Sequence, residues 1–409
     1  MIKAEIFPSE WDLTKIEDIA DVKGGKRLPK GESLQEKTTK HPYIRVADMY
    51  MGGVDLQNIL FVPDHVFPSI KRYTISKKDL FISVAGTLGI VGKIPNELDG
   101  ANLTENADKL TNIKINKDYL LQVLLSPIVQ NAIEREQTNN AQPKLALSRI
   151  RGFEIPNPPL PEQQKIADIL STVDAKIDII QQQIDETQDL KKGLMQRLLT
   201  KGIGHTEFKD SHLGEIPKSW KVVKQSEVAT FYNGRAYKLS EWEDKGTPVI
   251  RLQNLTGSGK EFYYSNLKLP EHQYCSTGDL LYMWSATFGP VWWQGEKAIY
   301  HYHIWKITHS NNLLKTFHYY LLDDVTRRMK NESHGSTMLH VTKGGMEKLL
   351  IQLPPLEEQQ KIAEILSTVD DKLEVLEEKK TSFQDLKKGL MQQLLTGKVR
   401  VKVANITVK

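Results

Sequence analysis

Two stretches of the chain carry apolar residues at steps of mostly three and four. The first runs through Ile166, Leu170, Val173, Ile177, Ile180, Ile184, Leu190, Leu194 and Leu198. The second runs through Ile362, Leu366, Val369, Leu373, Leu376, Phe383, Leu386, Leu390 and Leu394. That spacing draws one stripe along an α-helix and, held over many turns, makes the seam of a coiled coil. Pro159, Pro161, Pro354 and Pro355 stand at the two starts, where proline fits a first turn and stops backward extension. Gly202 and Gly397 follow the two ends as C-terminal stops. Gly193 and Gly389 lie inside the pattern, where a close helix approach or a local break would account for them. About 38 helical residues at 1.5 Å each would span roughly 57 Å.

The rest of the chain has a different pattern. Short mixed runs such as Tyr43-Ile-Arg-Val46, Leu80-Phe-Ile-Ser-Val84, Val249-Ile-Arg-Leu252 and the stretch Ile299 to Ile307 read as strands separated by Gly and Asn turns. Further helices are expected near Tyr119 to Gln137 and Leu314 to Lys330. The reading is α+β, with two globular domains at 1–155 and 213–352, each followed by a helical region, at 156–212 and 353–409.

The helical stretches are copies of one another. Leu160 to Thr200 and Leu356 to Thr396 match at 26 of 41 positions without a gap. The matches cluster at the ends, EQQKIA.ILSTVD and QDLKKGLMQ.LLT. Fainter echoes pair Trp11 with Trp220, Gly25-Lys26 with Gly234-Arg235, Pro42-Tyr-Ile-Arg45 with Pro248-Val-Ile-Arg251, and Asp79-Leu80 with Asp279-Leu280. The chain is thus written twice, and a pseudo-two-fold relation would make the two long helices pack antiparallel.

Bulk properties narrow the function without naming it. Hydrophobic residues are 39%, charged residues 26%, and the net charge of +4 over 409 residues neither demands nor excludes nucleic acid. The single cysteine, Cys275, removes any internal disulfide framework and suits a reducing compartment. No signal peptide and no run of 18 apolar residues is visible, so the expected location is cytoplasmic. Catalytic motifs are missing. Asn157-Pro-Pro-Leu160 falls short of an adenine-methyltransferase motif because Leu160 cannot stack on a flipped base. Gly86 to Lys93 has the wrong spacing for a phosphate loop and reads as a glycine turn between strands. His301 and His303, with Cys275 nearby in sequence, lack the paired spacing of a zinc site, so no metal is expected.

What the globular domains offer is contact chemistry. Lys23-Gly-Gly-Lys26-Arg27-Leu-Pro-Lys30 and Asn233-Gly-Arg235-Ala-Tyr237-Lys238 are basic glycine loops suited to phosphates. A polar loop precedes each long helix: Thr138-Asn139-Asn140-Ala-Gln142-Pro-Lys144, and Ser333-His334-Gly-Ser336-Thr337. These are side chains that read base edges. With the repeated arginines Arg45 and Arg251 they form the candidate DNA-binding set. On the helices, the duplicated polar residues Glu162, Gln163, Gln164, Lys165, Lys191, Lys192 and Glu358, Gln359, Gln360, Lys361, Lys387, Lys388 are candidates for docking two copies of one partner.

The duplicated architecture, with helix starts reading PLPEQQKIADIL and PPLEEQQKIAEIL, resembles the specificity subunits of type I restriction-modification systems over essentially the whole chain. The resemblance implies two target-recognition domains reading the halves of a split, asymmetric site in double-stranded DNA. It implies helices that set the gap between them, and two docked methyltransferase subunits, with motor-nuclease subunits as a further component. The chain would then bind no cofactor itself, S-adenosylmethionine and ATP belonging to its partners, and would have no catalytic residues. Domain centres roughly 40–50 Å apart would correspond to about 12–15 base pairs. Two rivals are the recognition portion of a fused restriction-methylation enzyme and an adaptor with two protein-binding domains on a helical strut. Steeply salt-dependent binding to duplex DNA would separate the adaptor from the rest.

Overall fold

The computed structural model describes residues 7–137, 144–285, 287–332 and 342–402. The chain forms two compact units, one comprising Met1–Gln181 with Lys379–Lys409, the other Gln182–Glu378. The long helices run Leu160–Lys201 and Leu356–Leu394, and each contributes residues to both units.

Unit 1 is built on a four-stranded antiparallel sheet in the order Asp21–Gly24, Ala107–Thr111, Leu80–Ser83, Val91–Lys93. The strand Leu80–Ser83 is buried on both faces. Successive side chains on a strand point to opposite faces. Leu80 and Ile82 therefore enter one core while Phe81 enters a second. The second core is closed by a smaller sheet, in which Pro42–Ile44 pairs antiparallel with Leu60–Phe61 and parallel with Asn102–Leu103. Each fully buried Leu, Ile or Phe contributes about 1.5–3 kcal/mol. A two-stranded ladder of Asp12–Lys15 with Glu154–Asn157 leads into the first long helix.

Unit 2 repeats this plan. Its main sheet has the order Ala229–Asn233, Ile304–His309, Leu280–Ser285, Thr287–Trp292. Leu280 and Tyr282 face one core and Leu281 the other. Its second sheet pairs Thr247–Ile250 antiparallel with Tyr263–Ser265 and parallel with Ala298–Tyr300, and the ladder Lys221–Lys224 with Leu350–Leu353 leads into the second long helix. The pattern Ile299 to Ile307, expected as one strand, is two, with residues 301–303 forming the crossing between the sheets. The helix expected at Tyr119 to Gln137 is also two, Lys117–Leu125 and Pro127–Gln137. Pro127 cannot donate a backbone bond and drives Ser126 into an extended conformation, ψ 160°. Unit 2 has no proline there and keeps one helix, Lys315–Glu332.

Within each unit the start of one long helix packs antiparallel on the end of the other. In unit 1, Ile166, Ala167 and Leu170 share a core with Met391, Leu394 and Leu395, and Asp174 pairs with Lys387 at 2.6 Å. In unit 2, Met195, Leu198 and Leu199 share one with Ile362, Ala363 and Leu366, and Lys191 pairs with Asp370 at 2.7 Å. Two seam assignments are corrected. Leu190 and Leu386 point outward, because the stripe of three and four steps passes instead through Thr187 and Lys191, and through Phe383 and Lys387. Gly193 and Gly389 lie in unbroken helix, and beyond their own turns no atom of the described residues comes within 4 Å of an added Cβ, so neither a close approach nor a break explains them.

Candidate nucleic-acid interface

The basic glycine loop and the residue closing the pre-helix loop meet at one end of the main sheet of unit 1. Gly25 donates its N–H to Ala107 (3.0 Å) and Lys26 donates to Leu103 (2.8 Å), so the loop crosses directly over residues 103–107. A Cβ on Gly25 would lie 2.0 Å from the Thr104 carbonyl oxygen. The glycine is required for a close approach within the protein itself. On the neighbouring strand, Lys144 bridges Ala85, and Leu145 donates to Val84 (3.0 Å). Asn139, Asn140 and Gln142 lie outside the described residues.

The cations gathered there differ in freedom. Lys23 pairs with Asp21 at 3.0 Å and Arg27 with Glu105 at 3.2 Å, both largely in solvent, where such pairs are weak and yield readily to a phosphate. Lys26 lies 5.9 Å over the Tyr73 ring. Lys30 is exposed and has no ion pair among the described residues. Arg45 is engaged within the fold. Its Nε lies 3.0 Å from the buried carboxylate of Asp48, a terminal nitrogen binds the other oxygen, and that nitrogen also donates to the Asn58 carbonyl. Sequence reasoning missed Asp108. Facing Gly24 in register, it is buried, and that burial pushes its carboxyl up to about 6 against the pull of Lys144 and Arg151.

Unit 2 repeats the crossing with other side chains. Gly234 donates to Ile304 (3.0 Å) and Arg235 to Tyr300 (3.1 Å), and a Cβ on Gly234 would lie 2.3 Å from carbonyl oxygens of Tyr300 and His301. Arg235 is ion-paired with Glu241 and lies 4.6 Å over the Tyr237 ring. Tyr237 stacks on Trp242 (4.7 Å), and Trp242 contacts Tyr263 (4.8 Å), over which the Arg251 guanidinium sits at 4.1 Å. His301 and Tyr302 extend this shelf, with Trp284 beyond them. Burial, His303 and the Arg251 charge push His301 down to about 4, so it presents one donor and one acceptor without charge. Lys238 is exposed, while its backbone N–H donates to Glu241. Ser333, His334, Ser336 and Thr337 lie outside the described residues. Trp242 and Tyr302 escaped sequence reasoning. The signal was residues 301–303 standing where Thr104-Glu-Asn106 stands in unit 1, hidden by reading one continuous strand.

The duplicated helix residues divide into two groups. Glu358 accepts from the Ile203 N–H (3.0 Å) and the Trp220 indole (2.8 Å) and contacts the His205 ring (2.7 Å). Glu162 holds the Arg400 guanidinium in the matching place. Gln163 accepts from Asn116 N–H and donates to Asn157 and Pro158. Gln359 accepts from Leu314 N–H and donates to Asn312 and Pro354. Lys191 and Lys387 are the cross-helix ion pairs already described. These six bind the helices to their own units. Gln164, Lys165, Lys192, Gln360, Lys361 and Lys388 remain exposed. So do apolar residues at the same repeat positions, Leu160 with Leu356, Ile179 with Val375, and Leu190 with Leu386. Among the described residues no helix is long and apolar enough to cross a membrane.

Comparison with known proteins agrees with this arrangement. The profile of the type I restriction modification DNA specificity domain matches residues 8–188 and 217–382. The chain is 29% identical over 420 residues, 98% of its length and 96% of the relative's, to a Methanocaldococcus jannaschii protein provisionally named type I restriction enzyme MjaX specificity subunit. It is 28% identical over 425 residues to the MjaVIII specificity subunit of the same organism, covering 97% of this chain and 95% of that one. The fold resembles the crystal structure of a type I restriction-modification S subunit from M. genitalium, with a TM-score of 0.57 and 16% identity over 97% of this chain and 98% of the other. The chain belongs to the type I restriction-modification DNA specificity family, and its role is sequence recognition rather than catalysis.

Proposed function

We propose that each unit reads one half of a split, asymmetric duplex site through the end of its main sheet where the glycine loop crosses. The observation that carries this is one frame used twice with different side chains at that end. Thr104, Glu105, Asn106 and Asp108 in unit 1 stand where His301, Tyr302, His303 and Trp305 stand in unit 2. A shared frame suits a shared duplex geometry, and unlike side chains suit unlike half-sites. The exposed lysines serve phosphates, and the described loops supply base-edge contacts together with the residues outside the described set.

The exposed faces of the helix pairs dock two copies of an adenine-methylating subunit. What supports this is the repetition of the same half-exposed apolar positions beside the same polar ones, once per unit. S-adenosylmethionine and ATP belong to those partners and to the motor-nuclease subunits that join them. The long helices set the gap between half-sites in this reading, as the resemblance implies. Co-expression with the neighbouring methyltransferase subunit, followed by single-molecule mapping of modified adenines, tests the reading. A split motif that disappears when this chain is omitted supports it. Methylation independent of the chain overturns it. Four residues inserted into a long helix should change the gap and keep both half-sites.

A further inference from the structure

Arg45 and Arg251 occupy the same place in the two units. Each follows the strand that pairs parallel with residues 102–103 or 299–300, and each donates its backbone N–H to the side chain three residues on. That side chain is Asp48 in unit 1 and Asn254 in unit 2. The difference decides what the guanidinium can do. Asp48 caps the backbone and also grips Arg45 through both carboxylate oxygens. Asn254 caps through Oδ1, but its Nδ2 is turned to the carbonyls of Gly259 (3.3 Å) and Glu261 (2.9 Å). It leaves the guanidinium of Arg251 alone. No carboxylate among the described residues pairs with Arg251.

Arg251 is nonetheless held in one plane. Its guanidinium lies 4.1 Å over the Tyr263 ring, whose other neighbour is Trp242 at 4.8 Å. Its Nε is buried with no hydrogen-bond partner among the described residues, and the side chain is partly exposed, which leaves the two terminal amino groups as the donors available to a ligand. A planar fork can also hold a phosphate bidentately, but a phosphate contact carries no base preference. A planar fork with fixed orientation matches the O6 and N7 acceptors on the major-groove edge of guanine. His301, beside it on the shelf, is kept uncharged and adds no attraction for phosphate.

We infer that Arg251 reads a guanine in the half-site of unit 2, released for that task by the exchange of a carboxylate for Asn254, whereas Arg45 is consumed by the fold. The inference rests on the proposed reading of one half-site per unit.

The test uses the full chain co-expressed with the methyltransferase subunit and maps methylated motifs. Wild type must give a split motif; if none appears, the proposed function has failed, and this inference with it. Given a motif, Arg251→Ala should make one G·C position degenerate, lowering its discrimination about 5- to 150-fold, while every other position and the gap persist. Asn254→Asp keeps the arginine and nearly the same volume but restores the carboxylate, and should relax the same position. Two results overturn the inference. One is an unchanged motif in a variant whose unfolding midpoint matches wild type. The other is a uniform loss across all sites with a salt slope shallower by about one, the signature of a phosphate contact.

Discussion

Units 1 and 2 share a sheet order, a glycine crossing, an entry ladder and a helix pair, yet their crossings are chemically unlike. Unit 1 sets ion pairs and a buried acid there, namely Arg27 with Glu105, Arg45 with Asp48, and Asp108. Unit 2 keeps one ion pair, Arg235 with Glu241, and otherwise sets rings and neutral imidazoles there, from Tyr237 and Trp242 through Tyr263 to His301. The comparison separates residues the frame requires from residues free to vary. Gly25 and Gly234 recur because backbone passes over backbone. Glu162 and Glu358 recur because each start of a long helix must hold the chain that leaves the other. Side chains pointing away from these contacts differ, which is where discrimination between half-sites can reside.

The largest effect should come from the shared frame. Gly25→Ala and Gly234→Ala each place a Cβ within 2.3 Å of carbonyl oxygen. Each should lower stability by about 3 kcal/mol or more in urea titrations. Tolerance of one and not the other would break the equivalence of the two crossings.

Next come the clamps, which are equivalent in place but not in strength. Glu358→Ala strands an indole, a backbone N–H and His205, and should cost about 2–4 kcal/mol. Glu162→Ala leaves Arg400, itself partly exposed and able to rehydrate, with Glu10 alone, and should cost clearly less than Glu358→Ala.

The units should respond oppositely to acid. In unit 2, burial pushes His309 down to about 4 and His318 well below its usual value, the pair being hydrogen-bonded at 2.9 Å. A histidine with depressed pKa stabilises above its unfolded value of 6.5 and loses that contribution as pH falls toward 4. Asp108 in unit 1 has the reverse sign. Raised to about 6, it stabilises fully below its unfolded 3.8, and that contribution is lost as pH rises through 6. Between pH 6.5 and 4.5, hydrogen exchange should show unit 2 loosening by on the order of 1–2 kcal/mol while unit 1 does not loosen. Equal loosening of both would count against the assignment.

The smallest effect belongs to the rim. Lys30→Ala should change stability by under about 0.5 kcal/mol and reduce the salt slope of DNA binding by about one, with no change in base preference.

Much of this was legible in the sequence, for identifiable reasons. The long helices declared themselves because a seam of three and four steps persists over ten turns and occurs twice. Even so, hydrophobicity alone puts Leu190 and Leu386 in the seam, whereas the inward stripe passes beside them through Thr187 and Lys191 and through Phe383 and Lys387. The polar repeat at Glu162-Gln163 and Glu358-Gln359 was visible, but its use was not. A side chain at a helix start can bond inward or face a partner, and the sequence shows no difference between the two. The interface was partly legible. Repetition marked the glycine loops and Arg45 with Arg251, while the acid at Asp48 against the amide at Asn254 acquires meaning only when both are seen to cap the same turn.

The most direct test of the central claim, that each unit reads its own half-site, is an exchange of one unit's recognition fold. Residues 217–353 would be replaced by the corresponding stretch of a family relative with a different motif, and modified adenines mapped in cells carrying the methyltransferase subunit. One half-site should change to the relative's while the other half-site and the gap stay as they were. A change in both half-sites, or in neither, would contradict it.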